Sequence, residues 1–326
     1  MPNDRIYGEG AGDVLLGMSG NDYLSGGKGN DKIYGAIGKD TLHGGTGADT
    51  MVGDDGSDTY YVDHKLDVVT ETNSTARTGG TDTVYSSLST HTLAKYIESG
   101  HILASGKANL TGNGLDNVLY AGVGNNVLNG STGSDTVSYT YGVKGTTGVK
   151  INLLLGTGQS TGGSGTDTLT AIENLSGSRY NDTLTGNKGA NILSGVAGND
   201  SLSGGAGNDT LIGGLGKDAL AGGAGNDRFD FNALSEMGLT STTRDVITDF
   251  VRGHDKIDLA TLDANTATPL NDAFTRLIGS NAAFTAPAQL KLSGGVLYGN
   301  TDADGRAEFA IQLTGISTLA TSDLYL

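Results

Sequence analysis

The sequence predicts an all-β protein: a parallel β-roll, a solenoid of nonapeptide repeats, with a β-rich cap at its C-terminal end. Three observations predict it. Aspartates stand at Asp4, Asp13, Asp22, Asp31, Asp40, Asp49 and Asp58, a spacing of nine kept without a break. Two places after each comes an apolar or aromatic side chain: Ile6, Leu15, Leu24, Ile33, Leu42, Met51 and Tyr60. Five places before most of them comes glycine, at Gly8, Gly17, Gly26, Gly35, Gly44 and Gly53. Such a fixed period marks stacked repeats. A hydrophilic spacer has no reason to keep a large apolar residue at one phase.

Nine residues divide into a short strand and a turn. Three residues of strand point the apolar member inward and its neighbours outward. Six residues of turn complete a half-coil, and two half-coils make a coil of eighteen residues. Asp22 then stacks on Asp40, and Asp31 on Asp49. A second array runs Asp182, Asn191, Asp200, Asp209, Asp218 and Asp227, with Leu184, Leu193, Leu202, Leu211, Leu220 and Phe229 as its apolar members. A weaker set holds Asn117, Asn126 and Asp135, and an isolated GGSGTDTLT covers 162–170 with Asp167. The predicted organisation is a first roll over 1–62, irregular coils with degenerate repeats over 63–161, a second roll over 162–231, and the cap over 232–326.

The turns carry the chemistry. Full GGxGxD units begin at Gly26, Gly44, Gly162, Gly204, Gly213 and Gly222. A tight turn needs positive φ, which glycine reaches without a Cβ clash. That assigns Gly27, Gly29, Gly45, Gly47, Gly205, Gly207, Gly214, Gly216, Gly223 and Gly225 to positions where a carbonyl approaches a central ion. The acids assigned to the same sites are Asp13, Asp22, Asp31, Asp40, Asp49, Asp58, Asp167, Asp182, Asp200, Asp209, Asp218 and Asp227. Two carboxylates about 5 Å apart repel by about 1 kcal/mol in water and about 3 kcal/mol at an effective dielectric of 20. A divalent cation between coils reverses that sign. Carboxylates and carbonyls are hard oxygen donors in a flexible cage, which favours Ca²⁺ over zinc, copper or Mg²⁺. Metal binding is then coupled to folding. Asn117, Asn126 and Asn191 keep an oxygen but lose the charge, so structure without calcium is the expectation at the first two and a weakened site at the third.

Composition agrees. Glycine supplies 55 of 326 residues against 3 prolines, and the formal net charge is −16. Nucleic acid and anionic membrane surfaces are repelled by such a chain. There is no cysteine, which excludes disulfides and thiolate chemistry. MPNDRIYGEG has neither a basic nor an apolar leader segment, and no apolar run is long enough to span a membrane. No HExxH occurs. GQSTG at 158–162 matches GxSxG, but nothing around Ser160 reads as strand, elbow and helix. No catalytic constellation is visible.

The G-G-x-G-x-D-x-U-x units resemble the RTX family of secreted calcium-binding proteins. After the second array, DVITDF and HDKIDL within 243–262 resemble the segment that follows the roll in serralysin-type proteases and mannuronan epimerase R-modules. The last residues, SDLYL, place Asp323 before an apolar tail, as in the uncleaved export signal of type I secretion substrates. The resemblance implies multiple Ca²⁺ ions, a type I secretion apparatus as partner, folding outside the cell, and a surface or extracellular polysaccharide as a further partner. It leaves two roles open: a structural or surface-interaction protein, or the non-catalytic calcium-binding part of a larger secreted protease, lipase or alginate epimerase. The start at Met1, close to the first unit, suits either. A membrane-active role finds no apolar segment. Elsewhere 61–111 reads as short strands and turns, LNDAFTRLIG as a short helix, and 289–316 as paired hairpins. NTDADG at 300–305 imitates the start of an EF-hand loop, but Ile311 stands where its closing Glu belongs.

Overall fold

The computed structural model describes residues 3–72, 79–268 and 271–326. It divides into two compact units, Met1–Lys144 with Gly156–Ile172, and Gly145–Leu155 with Glu173–Leu326. Both are β-rolls. Among the described residues the only helical elements are two three-residue 3₁₀ turns, Leu234–Glu236 and Thr321–Asp323.

In the first unit the half-coils alternate between stacks of parallel strands. One stack runs Arg5–Tyr7, Tyr23–Lys28, Thr41–Thr46, Thr59–Val62, Thr83–Ser86, Ser99–Ile102 and Val118–Tyr120. The facing stack runs Val14–Ser19, Lys32–Ile37, Thr50–Asp55 and Val68–Thr70. A further stack takes Thr90–Thr92, Ala108–Thr111, Asn126–Asn129 and Thr166–Thr170. Leu24 pairs with Leu42, and Ile33 with Met51, so the eighteen-residue coil is the real repeat. Leu15, Leu24, Ile33, Leu42, Met51 and Tyr60 are buried and make a core one side chain wide from each face. A fully buried Leu contributes about 1.5–3 kcal/mol, so this thin core holds the coils in register without making the fold secure.

The strands of the first array are longer than the three residues expected. Tyr23–Lys28 and Thr41–Thr46 pair at Tyr23, Leu24 and Ser25, skip Gly26, and pair again at Gly27 and Lys28. The glycine bends the chain, and the turn's second leg then pairs with the coil above instead of looping free. In the second unit three-residue strands also occur, as at Thr183–Thr185 and Ile192–Ser194.

The second unit stacks Asn174–Ser176, Ile192–Ser194, Thr210–Ile212, Arg228–Asp230, Lys256–Asp258 and Leu324–Tyr325 on one face. Its other face runs Lys150–Asn152, Thr183–Thr185, Ser201–Ala206, Ala219–Ala224 and Val246–Ile247, all parallel. Phe309–Leu313 then pairs parallel to Val246–Ile247 and antiparallel to Val296–Asn300, which pairs antiparallel to Gln289–Ser293. These are the expected hairpins, and they cover an open sheet edge that is otherwise a site for aggregation. The LNDAFTRLIG helix does not form: residues 271–275 have no regular secondary structure and Arg276–Ile278 is a strand beside Gln289–Ser293, while Leu270 lies outside the described residues. Phe274 packs edge-on to Phe309 at 5.7 Å, so burial of that ring overrides local helix preference.

The chain's last strand is docked. Asp323 is buried and accepts hydrogen bonds from the backbone N–H of Gly253 at 3.0 Å and of Ala320 at 2.8 Å, and it pairs with Arg252. Those donors and the Arg252 charge outweigh desolvation and hold its carboxyl below the ordinary aspartate range.

Candidate metal centre

Each array aspartate is a rung between coils. The backbone N–H of Asp22 donates to Asp40 Oδ1 at 2.8 Å, Asp40 to Asp58 at 2.7 Å, and Asp31 to Asp49 at 2.8 Å. In the second unit Asp182 donates to Asp200, Asp200 to Asp218, and Asp209 to Asp227 in the same way. One carboxylate oxygen of each rung is therefore satisfied by the coil below.

The other oxygen is not. Oδ2 of Asp13, Asp22, Asp31, Asp40, Asp49 and Asp58 is buried without a hydrogen-bond donor, and so is Oδ2 of Asp200, Asp209, Asp218 and Asp227. The cause lies four residues upstream. Gly27, Gly45, Gly205, Gly214 and Gly223 all have positive φ, between 87° and 106°. Where glycine is missing the same conformation persists, at Glu9, Met18, Ala36, Asp54 and Val196, with φ between 70° and 79°. The turn N–H that would otherwise reach the carboxylate faces elsewhere.

The two-residue offset does the second job. Gly47 and Gly225 have φ of 140° and 151°, and a Cβ on either would strike the carbonyl of Gly29 or Gly207 one coil below. The glycine five places before each acid clears the last space. A Cβ on Gly17 would lie 2.6 Å from Asp22 Oδ2 and 2.8 Å from the Gly35 carbonyl. A Cβ on Gly8 would lie 2.6 Å from both Asp13 Oδ2 and the Gly26 carbonyl. Each turn thus cradles a donor-less carboxylate oxygen, a carbonyl of the next coil and a gap. That donor set fits a hard cation such as Ca²⁺.

Burial moves these acids strongly. Desolvation pushes Asp58 up to about 7, Asp200 up to about 8, and Asp218 and Asp227 up to about 6, against the lowering effect of the backbone N–H each accepts. Asp40, Asp49 and Asp209 are raised by the same cause. At neutral pH the ion-free fold either holds protons on these groups or charges them at a cost.

Of the twelve expected acids Asp182 differs, while Asp167 keeps a donor-less, buried Oδ2 although Gly163, four residues upstream, has no positive φ. Asp182 has both oxygens occupied: Val149 N–H and the Ser178 hydroxyl reach Oδ1, and Ser178 N–H reaches Oδ2 at 2.6 Å. It is a fully bonded corner of the second unit. Asp167 accepts from Asn126 N–H at 2.7 Å and lies beside the buried Tyr139, and burial pushes it up to about 7. Asn117 and Asn191 hold the rung position with amide donors of their own. Asn117 Nδ2 donates to the Ile97 carbonyl at 2.9 Å, and Asn191 Nδ2 donates to the Glu173 carbonyl at 2.5 Å.

The sequence reading missed further rungs. Asp58 N–H donates to Asp82, Asp218 N–H to Asp245, and Asp227 N–H to Asp255, across separations of 24, 27 and 28 residues. Insertions break the nine-residue count there. The signal that survives is an acid followed two places on by a buried apolar residue: Asp82 with Val84, Asp245 with Ile247, Asp255 with Ile257. Ser160 is exposed on the edge strand Gln159–Ser160, outside any strand-to-helix elbow. Asp302, Asp304 and Glu308 cluster around the NTDADG turn, where Glu308 accepts from Thr301 N–H.

Fold and turns together define a β-roll repeat domain with oxygen cages between its coils. The family model described as Peptidase M10 serralysin C terminal matches residues 16–326, and the chain belongs to that family. No curated protein matches it. Among solved structures it is similar to the AlgE6R3 subunit of mannuronan C5-epimerase from Azotobacter vinelandii, at 29% identity over 44% of this chain and 77% of that one, with a TM-score of 0.32.

Proposed function

We propose that the chain is a calcium-binding repeat domain whose arrays fold when Ca²⁺ enters their turns. The observation that carries this reading is the buried, donor-less Oδ2 of ten array aspartates, each facing a glycine five places upstream on which a Cβ would collide with it. An unsatisfied buried acceptor costs about 1–3 kcal/mol. Ten of them cost about 10–30 kcal/mol, more than the 5–15 kcal/mol by which a domain is usually stable. Bound between coils, Ca²⁺ supplies the positive charge that offsets this cost. Asp13, Asp22, Asp31, Asp40, Asp49, Asp58, Asp200, Asp209, Asp218 and Asp227 hold it with turn carbonyls. Asp182 anchors the turn at 178–182 instead.

Family membership supports a secreted protein exported by a type I system. Low calcium inside the cell keeps the arrays open for transit, and calcium outside folds them. In the folded chain Asp323 and Leu324 are buried, so the tail is accessible to an exporter before folding. A second reading has its own support. The matching family model describes a C-terminal region of peptidases, which favours the calcium-binding part of a larger secreted enzyme over a free-standing surface protein. A polysaccharide partner belongs to either reading.

Circular dichroism during a calcium titration of the chelated chain tests the function, with magnesium as control. A cooperative gain of β-structure with calcium alone is expected. Full β-structure in excess chelator at neutral pH overturns the reading.

A further inference from the structure

The end of the first array departs from its own pattern. Val52 pairs with Thr70, so Glu71 occupies the column of Gly17, Gly35 and Gly53, where the repeat keeps glycine. Its side chain turns inward and is buried, as are Asp58 and Asp82. Oxygens of the three acids lie within 4.8 Å of one another. Glu71 Oε2 and Asp58 Oδ2 have no hydrogen-bond donor. The Tyr60 hydroxyl donates to Glu71 Oε1, and Asp58 N–H donates to Asp82 Oδ1 at 2.7 Å. None of the three acids forms an ion pair among the described residues.

The oxygens converge on the Gly53 turn. A Cβ built on Gly53 would collide with Tyr60 Oη, Asp58 Oδ2 and Glu71 Oε1, so only glycine leaves room for all three. In the cages at Gly8 and Gly17 the second oxygen near that point is a backbone carbonyl; here it is a second carboxylate, with Asp82 close by. Ligand charge count is a principal control on calcium affinity.

We propose that Asp58, Glu71 and Asp82, with the Tyr60 hydroxyl, turn the last cage of the first array into a three-carboxylate site for a hard cation, tighter than the other repeat turns. It deepens the calcium-binding reading, on which it rests, by adding Glu71 and the Tyr60 hydroxyl, which the other turns lack. The tighter ion fills first and orders the coil on which the remaining turns of the first array stack.

The full chain, stripped with chelator, is titrated with Ca²⁺ and counted by native mass spectrometry; a second titration uses Tb³⁺ with tyrosine excitation. Glu71→Gln is expected to remove one ion and to weaken the tightest class at least about 10-fold, because one of three charges is lost. Asp200→Asn removes an ion of the weaker class and leaves the tightest intact. Tyr60→Phe keeps the calcium count and loses the earliest tyrosine-sensitised Tb³⁺ emission. Asp82→Asn repeats the Glu71→Gln result in a second background, and dichroism at saturating calcium confirms that each variant is folded. A folded Glu71→Gln chain with the wild-type count and tightest affinity overturns the site while the repeat turns stand. A wild-type chain that binds no calcium overturns both.

Discussion

The turns that end at Asp31 or Asp209 and those that end at Asn117 or Asn191 occupy the same place in the coil. They meet the same need with different partners. An asparagine rung carries its own donor: Asn117 Nδ2 reaches Ile97 and Asn191 Nδ2 reaches Glu173, each a carbonyl of the coil below. At these two the oxygen is also used, since Asn113 N–H donates to Asn117 Oδ1 and Asn187 N–H to Asn191 Oδ1, both at 2.7 Å, whereas the buried Oδ1 of Asn126 has no donor. An aspartate rung has no donor to give, and the positive φ four residues upstream takes the turn N–H away from it. Sequence choice at two positions thus decides whether a turn satisfies its own rung or leaves a carboxylate oxygen without a donor. Asp182 shows that the upstream position matters as much as the acid, because Ser178 keeps an ordinary φ and supplies N–H and hydroxyl to a carboxylate.

The first unit adds a support along one face. His43, Tyr61, Tyr85, His101 and Tyr120 each follow an inward residue by one place, and parallel register stacks them with centroids 5.2, 5.2, 4.4 and 3.8 Å apart. Stacked rings contribute about 0.5–1.5 kcal/mol per pair without any ion. Burial lowers His101 to about 4, so that ring is neutral within the stack at neutral pH.

The largest effect expected from this contrast is uneven loss of order on calcium removal. Hydrogen exchange in chelator at pH 7.5 exposes the backbone of 13–58 and 200–227. Protection persists longest over 99–120, where the Asn117 rung and the stacked rings hold the coils. Uniform exchange along the chain would remove the distinction between the two kinds of turn.

Exchanging the rungs sharpens it. Asn117→Asp removes the amide donor to Ile97 and adds a buried charge. A loss of about 1–3 kcal/mol in chelator is expected, since the new buried charge lacks a donor, although Asn113 Nδ2 still serves the Ile97 carbonyl at 2.7 Å. Calcium does not restore it, because Asn113 has no positive φ and its turn offers no cage. Asp209→Asn supplies an amide where a carboxylate stood, and it raises the calcium concentration at the folding midpoint while softening the collapse in chelator. Denaturant titrations of both variants with and without calcium read these outcomes.

Much of this was legible in the sequence. The nine-residue spacing placed the coil, its inward residues and the acid columns, because a solenoid repeats its local geometry. What spacing alone did not reveal is which acids are already satisfied. Asp182 and Asp200 look alike in the repeat, and only the conformations at Ser178 and Val196 separate them. Asp82, Asp245 and Asp255 escaped because insertions shift the count, although each keeps its buried apolar partner two places on. LNDAFTRLIG read as a helix because the sheet neighbours of its Arg276–Ile278 strand come from Gln289–Ser293, beyond the reach of local pattern.

Acidity offers a smaller, graded probe. In the ion-free fold Asp58, Asp82, Asp200, Asp218, Asp227 and Asp245 are pushed by burial from 3.8 up to between about 6 and about 8. Between those values and 3.8 the folded chain holds protons that the unfolded chain has released. Stability from these groups is complete below 3.8 and is lost as pH rises through about 6 to 8. Lowering pH from 8 to 5 in chelator therefore increases β-structure, whereas at limiting calcium the same change competes with the ion and decreases binding. A chelated chain whose dichroism ignores pH over that range would show that the buried acids do not control the open state.

The smallest effect isolates the upstream conformation. Val196 is β-branched, precedes Asp200 by four residues and has φ of 75°. That conformation costs a β-branched residue about 1–3 kcal/mol, and glycine avoids the cost while giving back about 0.5–1 kcal/mol in unfolded-chain entropy. Val196→Gly is expected to stabilise the calcium-loaded chain by about 1 kcal/mol and to lower the calcium midpoint slightly. Ser178→Gly, at the same offset from Asp182, loses the hydroxyl bond to that carboxylate and an ordinary backbone, and destabilises by about 1 kcal/mol. Opposite signs at one offset in the repeat are expected only if backbone twist, rather than the acid, selects which turns are left for an ion; equal signs in calcium-loaded thermal melts would count against that selection.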